Sequence, residues 1–239
     1  MTLYLIGTGM NKNSIPADAL EILKSCDKIY LENYTVNFPY SLEELEESYK
    51  IKITELERTK VENESILEEA KNSNIALLVY GDSLSATTHM QLILEAKKQN
   101  ISYQIFHNAS ILTTIAETGL QLYKFGKTAS MPNWAEHTNK PTSFTNYIKE
   151  NQSIKAHTLI LTDIGLEINK AIEQLQESTN ELPEKIIAIS NAGTENQKIF
   201  HDTSENLKQK EIPMPFCLII PTELHFLEEE ALEKIKENI

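Results

Sequence analysis

Arginine is nearly absent from this 239-residue chain, with Arg58 its single instance, and cysteine occurs twice, at Cys26 and Cys217, outside any Cys-x-x-Cys pair. That excludes a disulfide scaffold and a structural zinc site and leaves two buried thiols. The six histidines (His89, His107, His137, His157, His201 and His225) lack His-x-His or His-x-x-x-His spacing, so no metal is expected. No apolar run approaches the ~20 residues of a membrane-spanning helix, and Met1 to Gly7 lacks the basic start and long apolar middle of a secretion signal, so a cytoplasmic protein is expected. Acidic residues outnumber basic ones 35 to 22, a formal charge of -13, which argues against a nucleic acid partner held by broad phosphate neutralisation.

What is present is an α/β alternation, in which short runs rich in Ile, Leu, Val and Tyr are followed by polar turns and longer segments of helical spacing. The pattern predicts strands near 2–6, 28–32, 75–80, 102–106, 156–162, 185–190 and 216–220. Their near-continuous apolar character implies sheets buried on both faces. Ser14-Ile15-Pro16 reads as an N-cap hydroxyl and first-turn proline, and Ser41-Leu42-Glu43-Glu44 has capping-box spacing. The acid-rich stretches Glu43 to Glu47, Glu62 to Glu69 and Glu228 to Glu230 interleave with apolar residues as solvated helix faces do. Met131 to Thr142 reads as a long loop, and a helix is expected from Ala109. The domain boundary is expected near residue 112, giving α/β domains at 1–112 and 113–239.

Glycine is scarce, seven in all, and Gly7, Gly9, Gly81, Gly165 and Gly193 each fall at or just beyond the end of an expected strand. In open α/β sheets those ends form the crevice where ligands bind. Gly7-x-Gly9 with Glu32 imitates a dinucleotide fingerprint, but Lys12 stands where the third glycine belongs and Ser14-Ile15-Pro16 delays the helix. Gly81-Asp82-Ser83-Leu84-Ser85 looks like the opening block of GDSL-type serine hydrolases, yet the late Asp-x-x-His that would activate Ser83 is absent, because Thr222 stands three residues before His225.

Taken together, these stretches resemble the diphthine synthase family, within the tetrapyrrole-methylase-like S-adenosylmethionine-dependent methyltransferases. The resemblance is carried by Leu3 to Met10, Gly81 to His89, His107 to Ile111, Gly119 to Thr128, Lys140 to Ser143, His157 to Leu159 leading to Asp163-Ile164, and Leu224 to Glu230. It implies two α/β/α domains with the cofactor in the cleft between them, usually in a homodimer. The implied reaction is methylation of the amine of a 3-amino-3-carboxypropyl-histidine on translation elongation factor 2, giving diphthine. The compact length resembles archaeal members. Carried over onto this sequence, the cofactor contacts would be Met10, Asp82, Ser85, Ser110, Ile111, Thr162, Ala192 and Phe216.

The chain departs from the family pattern at Ser83, at Ser85, at Asn191 where an arginine is usual, and at Pro221-Thr222-Glu223-Leu224-His225, which replaces Pro-Gly-Lys-Leu-His. Positive charge for a protein partner is therefore expected from Lys124, Lys127 and Lys140. The sequence identifies no general base. A related methylase of a corrin-type small molecule, a GDSL-like hydrolase, and a protein that keeps the cofactor fold only to bind a partner are the alternatives.

Overall fold

The first apolar run, Thr2–Gly7 (β1), alternates its side chains between two hydrophobic clusters, and the strands beside it do the same. The computed structural model describes residues 1–57, 60 and 65–237; Arg58 and the first residues of the Glu62 to Glu69 stretch lie outside them. The chain divides into two units, Met1–Leu112 and Thr113–Ile239.

In the first unit, β1, β2 (Lys28–Glu32), β3 (Thr54–Leu56), β4 (Ile75–Val79) and β5 (Ser102–Phe106) form one sheet of order β3-β2-β4-β1-β5, parallel throughout. Leu3, Leu5, Leu77 and Val79 face α3 (Ser65–Ala70) and α4 (Met90–Lys98), whereas Ile6, Ala76 and Leu78 face α1 (Ala17–Leu23) and α2 (Leu42–Tyr49). This is the two-sided burial that continuous apolar strands require. The capping box forms as expected, with Ser41 Oγ accepting from Glu44 N and the Glu44 carboxylate from Ser41 N. Ser14 differs from expectation. Pro16 occupies the N-cap position of α1, while the Ser14 hydroxyl donates to Asn11 O at 2.7 Å and accepts from Asn11 N at 3.1 Å.

A helical turn, α5 (Ile111–Thr114), starts two residues later than expected and carries the chain into the second unit. There β6 (Ala129–Met131), β7 (Thr158–Thr162), β8 (Ile186–Ser190), β9 (Lys198–Asp202) and β10 (Phe216–Ile220) form a sheet of order β6-β7-β10-β8-β9. β6 pairs parallel to β7, and β10 runs antiparallel to both β7 and β8. One face packs on α6 (Phe144–Ser153), α7 (Ile168–Ser178) and α8 (Ser204–Lys208), and α9 (Phe226–Glu237) lies against β9. β3, β6 and β9 are additions to the expected strands. Met131 therefore closes a strand, and the segment after it contains a 3-10 turn at Trp134–Glu136.

Candidate functional site

At the carboxyl end of the first sheet the turns after β1, β4 and β5 are bonded to one another. Gly9 N donates to Gly81 O and Gly81 N to Gly9 O, both at 3.0 Å, with φ near +73° and +72°. Side chains rarely adopt that backbone region, which is why glycine stands at both positions. Gly7 serves a different need, since a Cβ there would lie 2.5 Å from Gly81 O. Asn108 spans the group, its amide donating to Gly7 O at 3.0 Å and Ser14 O at 2.7 Å.

Asp82 is the hub. Its Oδ1 accepts from Leu84 N at 2.9 Å and Ser85 Oγ at 3.1 Å, and its Oδ2 from Asn108 N at 3.0 Å and His107 Nδ1 at 2.8 Å. Burial alone pushes this carboxyl up, but those four donors outweigh it and leave it below the ordinary aspartate range. Met10 and Ser110 are buried within the same turns, and Ile111 opens α5. The five expected contacts of this unit thus come together around the ends of three neighbouring strands, β4, β1 and β5.

In the second unit the remaining three also share one end of a sheet. Phe216 opposes Ser190 on β8, and Thr162 Oγ1, at the end of β7, donates to Phe216 O at 2.6 Å. Ala192 follows β8 and is buried. Beside it Asn191 adopts φ +48°, its N–H donates to Pro215 O at 2.9 Å, and its buried Oδ1 has no hydrogen-bond partner among the described residues. An orphaned buried acceptor is costly.

The opposite end of that sheet explains three of the stretches that carry the resemblance. Glu228, expected on a solvated face, is fully buried. Its carboxylate accepts from Gln121 N at 2.9 Å, His225 N at 2.7 Å, His157 Nε2 at 3.2 Å and the Lys124 ammonium. Thr222 N donates to His157 Nδ1 at 3.0 Å, so the ring is neutral with its proton on Nε2, and burial holds its pKa below the ordinary histidine value. Gly119 to Thr128, His157 to Leu159 and Leu224 to Glu230 therefore meet in one structural ion cluster. Lys124, expected to dock a partner, is committed to it. Lys127 and Lys140 are exposed, each beside one carboxylate, Glu150 and Glu177.

Geometry speaks against both the hydrolase alternative and the dinucleotide fingerprint. Ser83 is buried and its hydroxyl has no partner among the described residues, so nothing there takes a proton from it; the nearby His89 spends Nδ1 on the Ser83 carbonyl at 3.2 Å. Glu32 is sealed, Lys12 pairs with Glu44, and α1 begins only at Ala17, which removes the dinucleotide fingerprint. Asn108 and Asn191 were missed as site residues, although both lie inside or beside stretches that the sequence marked.

Residues 2–208 match the family model described as Tetrapyrrole (Corrin/Porphyrin) Methylases. The diphthine synthase of Methanococcus maripaludis is 35% identical over 255 residues, covering 99% of this chain and 100% of that protein. The diphthine methyl ester synthase of Schizosaccharomyces pombe is 34% identical over 269 residues, covering 99% and 95%. A crystal structure of a diphthine synthase matches with a TM-score of 0.90 at 33% identity, covering 98% of this chain and 96% of that one. Likeness of that extent, in sequence and in fold, shows that the chain belongs to the tetrapyrrole methylase family, in its diphthine synthase branch.

Proposed function

We propose that the chain is a methyltransferase of diphthamide biosynthesis, which takes methyl groups from S-adenosylmethionine and places them on the amine of the 3-amino-3-carboxypropyl-histidine of translation elongation factor 2. The observation that carries this reading is the end-to-end similarity to diphthine synthases rather than to the fold family alone. A cytoplasmic homodimer belongs to the same reading.

The residues present suit the donor. Asp82 keeps a charged carboxylate at the carboxyl edge of the first sheet, and a ribose hydroxyl or an ammonium would take the place of its exposed donor, His107. Backbone groups at Ser110, Ala192 and Phe216 suit an adenine edge, and the orphaned Asn191 Oδ1 beside Ala192 suits its amino group. Met10, Ser85, Ile111 and Thr162 complete the set. Bound S-adenosylmethionine supplies a methyl whose bond to sulfur breaks as its bond to the amine nitrogen forms, leaving S-adenosylhomocysteine. The protein's share is positioning, holding the amine lone pair in line and excluding water, while the amine's proton passes to solvent.

Purified elongation factor 2 bearing the unmethylated side chain, incubated with labelled donor, should take up label. A wild-type protein that transfers none would reject the reading. The mass of the modified peptide separates three methyls on nitrogen from a fourth on the carboxylate, the difference between diphthine and its methyl ester. Asp82→Ala should stay folded by circular dichroism and bind S-adenosylmethionine at least about tenfold more weakly in calorimetry. Unchanged affinity in the folded variant would remove Asp82 from the donor site.

A further inference from the structure

At the carboxyl ends of β2 and β3, the segment 33–41 and the start of α2 border an open cavity of about 240 Å³ that none of the donor contacts lines. It is below the roughly 300–1,000 Å³ typical of sites for drug-sized ligands, and so of a size for a short side-chain end. Leu31 and Glu55, which pair across β2 and β3, line it together with Phe38 and Tyr40. Its lining contains one carboxylate, Glu55, and no lysine, arginine or histidine.

The aromatic part of the lining is tied to the turn that carries Met10. Phe38, Tyr40 and Tyr80 pack as a cluster, with centroids 5.6 Å apart for Phe38 and Tyr40 and 5.1 Å for Phe38 and Tyr80, both edge-on. The Tyr40 hydroxyl lies 3.5 Å from Thr8 Oγ1, and the Tyr80 hydroxyl donates to Met10 O at 3.3 Å. Burial pushes the Tyr40 hydroxyl up to about 12 and Tyr80 higher, so both rings stay neutral and keep their electron-rich faces. Aromatic faces with a carboxylate and no competing cation are the chemistry that recognises a quaternary ammonium.

We propose that this cavity receives the ammonium at the end of the acceptor side chain, the carboxylate on the same carbon staying at the open mouth, and holds the successively methylated, finally fixed positive charge against Phe38 and Tyr40, with Glu55 supplying negative charge. The proposal rests on the function proposed above and names the residues that would keep an intermediate in place between transfers. It also accounts for the aromatic anchor on the β1 turn, since an aromatic cluster bonded to Thr8 and Met10 moves with the donor turn.

The probe is choline, titrated by NMR into the full chain, with 3,3-dimethylbutan-1-ol as its uncharged isostere. The cation should bind at least about threefold to tenfold more tightly than the isostere, and Glu55→Gln and Phe38→Leu should each lose that preference. S-adenosylmethionine affinity should be unchanged in Glu55→Gln. Glu55 is exposed, so Glu55→Gln keeps the test valid if Phe38→Leu folds poorly. With elongation factor 2 as acceptor, Glu55→Gln should release more mono- and dimethylated product than the wild type. Equal binding of cation and isostere to the wild type, or a wild-type product pattern from Glu55→Gln, would overturn the cavity's role. Absence of any wild-type turnover would instead overturn the function it rests on.

Discussion

Two glutamates sealed from solvent, Glu32 in the first unit and Glu228 in the second, lie on opposite sides of the ordinary carboxylate range. Glu32 ends β2; its Oε1 accepts from the Thr35 hydroxyl, and its buried Oε2 has no partner among the described residues. Burial there wins over the Thr35 hydroxyl and the Tyr34 N–H and pushes the pKa up to about 7. Burial acts in the same direction at Glu228, yet the His225 N–H, the Lys124 ammonium, the Gln121 N–H and the His157 ring outweigh it and bring the pKa down to about 2. Burial alone therefore does not decide the charge of an interior carboxylate. The number of donors aimed at it does.

The largest expected effect comes from removing the better-partnered member. Glu228→Ala should lower stability by about 3–5 kcal/mol, because it leaves the Lys124 ammonium and the Gln121 and His225 N–H groups without their acceptor. Urea unfolding at pH 8 measures it, and a loss below about 1 kcal/mol would show that these donors find water instead. The pH dependence has a definite sign. A depressed carboxylate contributes stability above its unfolded value, 4.5, that is lost as pH falls towards 2; the depressed His157 adds a loss that begins below 6.5. Acidification should therefore destabilise the wild type, and Glu228→Ala should flatten the acid limb.

Glu32 should behave in the opposite sense. With its folded pKa raised to about 7 from 4.5, the native state binds more protons than the unfolded chain in that window, so its contribution falls as pH rises from 4.5 to 7. Glu32→Gln removes this penalty. The variant should gain on the wild type by about 1–3 kcal/mol more at pH 8 than at pH 5. His89, pushed down by burial in the same unit, loses stability on acidification in both proteins and cancels in the difference. An equal difference at the two pH values would mean that Glu32 is charged and satisfied, and the contrast with Glu228 would collapse.

How much of this was legible in the sequence differs between strands and side chains. Six of the seven apolar runs announced central strands because burial on both faces demands continuous Ile, Leu and Val, as in Ile75–Val79 and Phe216–Ile220, while the seventh, β5, is an edge strand. The missed strands β3, β6 and β9 are short or at sheet edges, and their Thr, Glu, Ser, Lys and Asp residues carry no such pattern. The turn residues of the candidate site could be placed because Gly7, Gly9 and Gly81 punctuate strand ends. Glu228 was misjudged because three consecutive glutamates, Glu228 to Glu230, look alike until a register assigns one of them to the interior. Its partners Gln121, Lys124 and His157 lie 71 to 107 residues away, a separation that no local pattern encodes.

The same contrast holds among the lysines, at the smallest scale. Lys124 meets a carboxylate sealed from water, whereas Lys127 and Glu150 have side chains 63% and 52% exposed, and Lys140 and Glu177 62% and 55%. Both exposed lysines also lie over aromatic rings, Tyr147 at 5.6 Å and Trp134 at 4.8 Å. Solvent screening and the ordering of two long side chains offset most of the attraction at such positions. Lys127→Gln and Lys140→Gln should each barely move the urea midpoint at low salt, and move it less at high salt. Lys124→Gln, which leaves a buried carboxylate one donor short, should cost several times more at either ionic strength. Equal losses for all three lysines would mean that charge alone, and not the sealed carboxylate beneath Lys124, sets their worth.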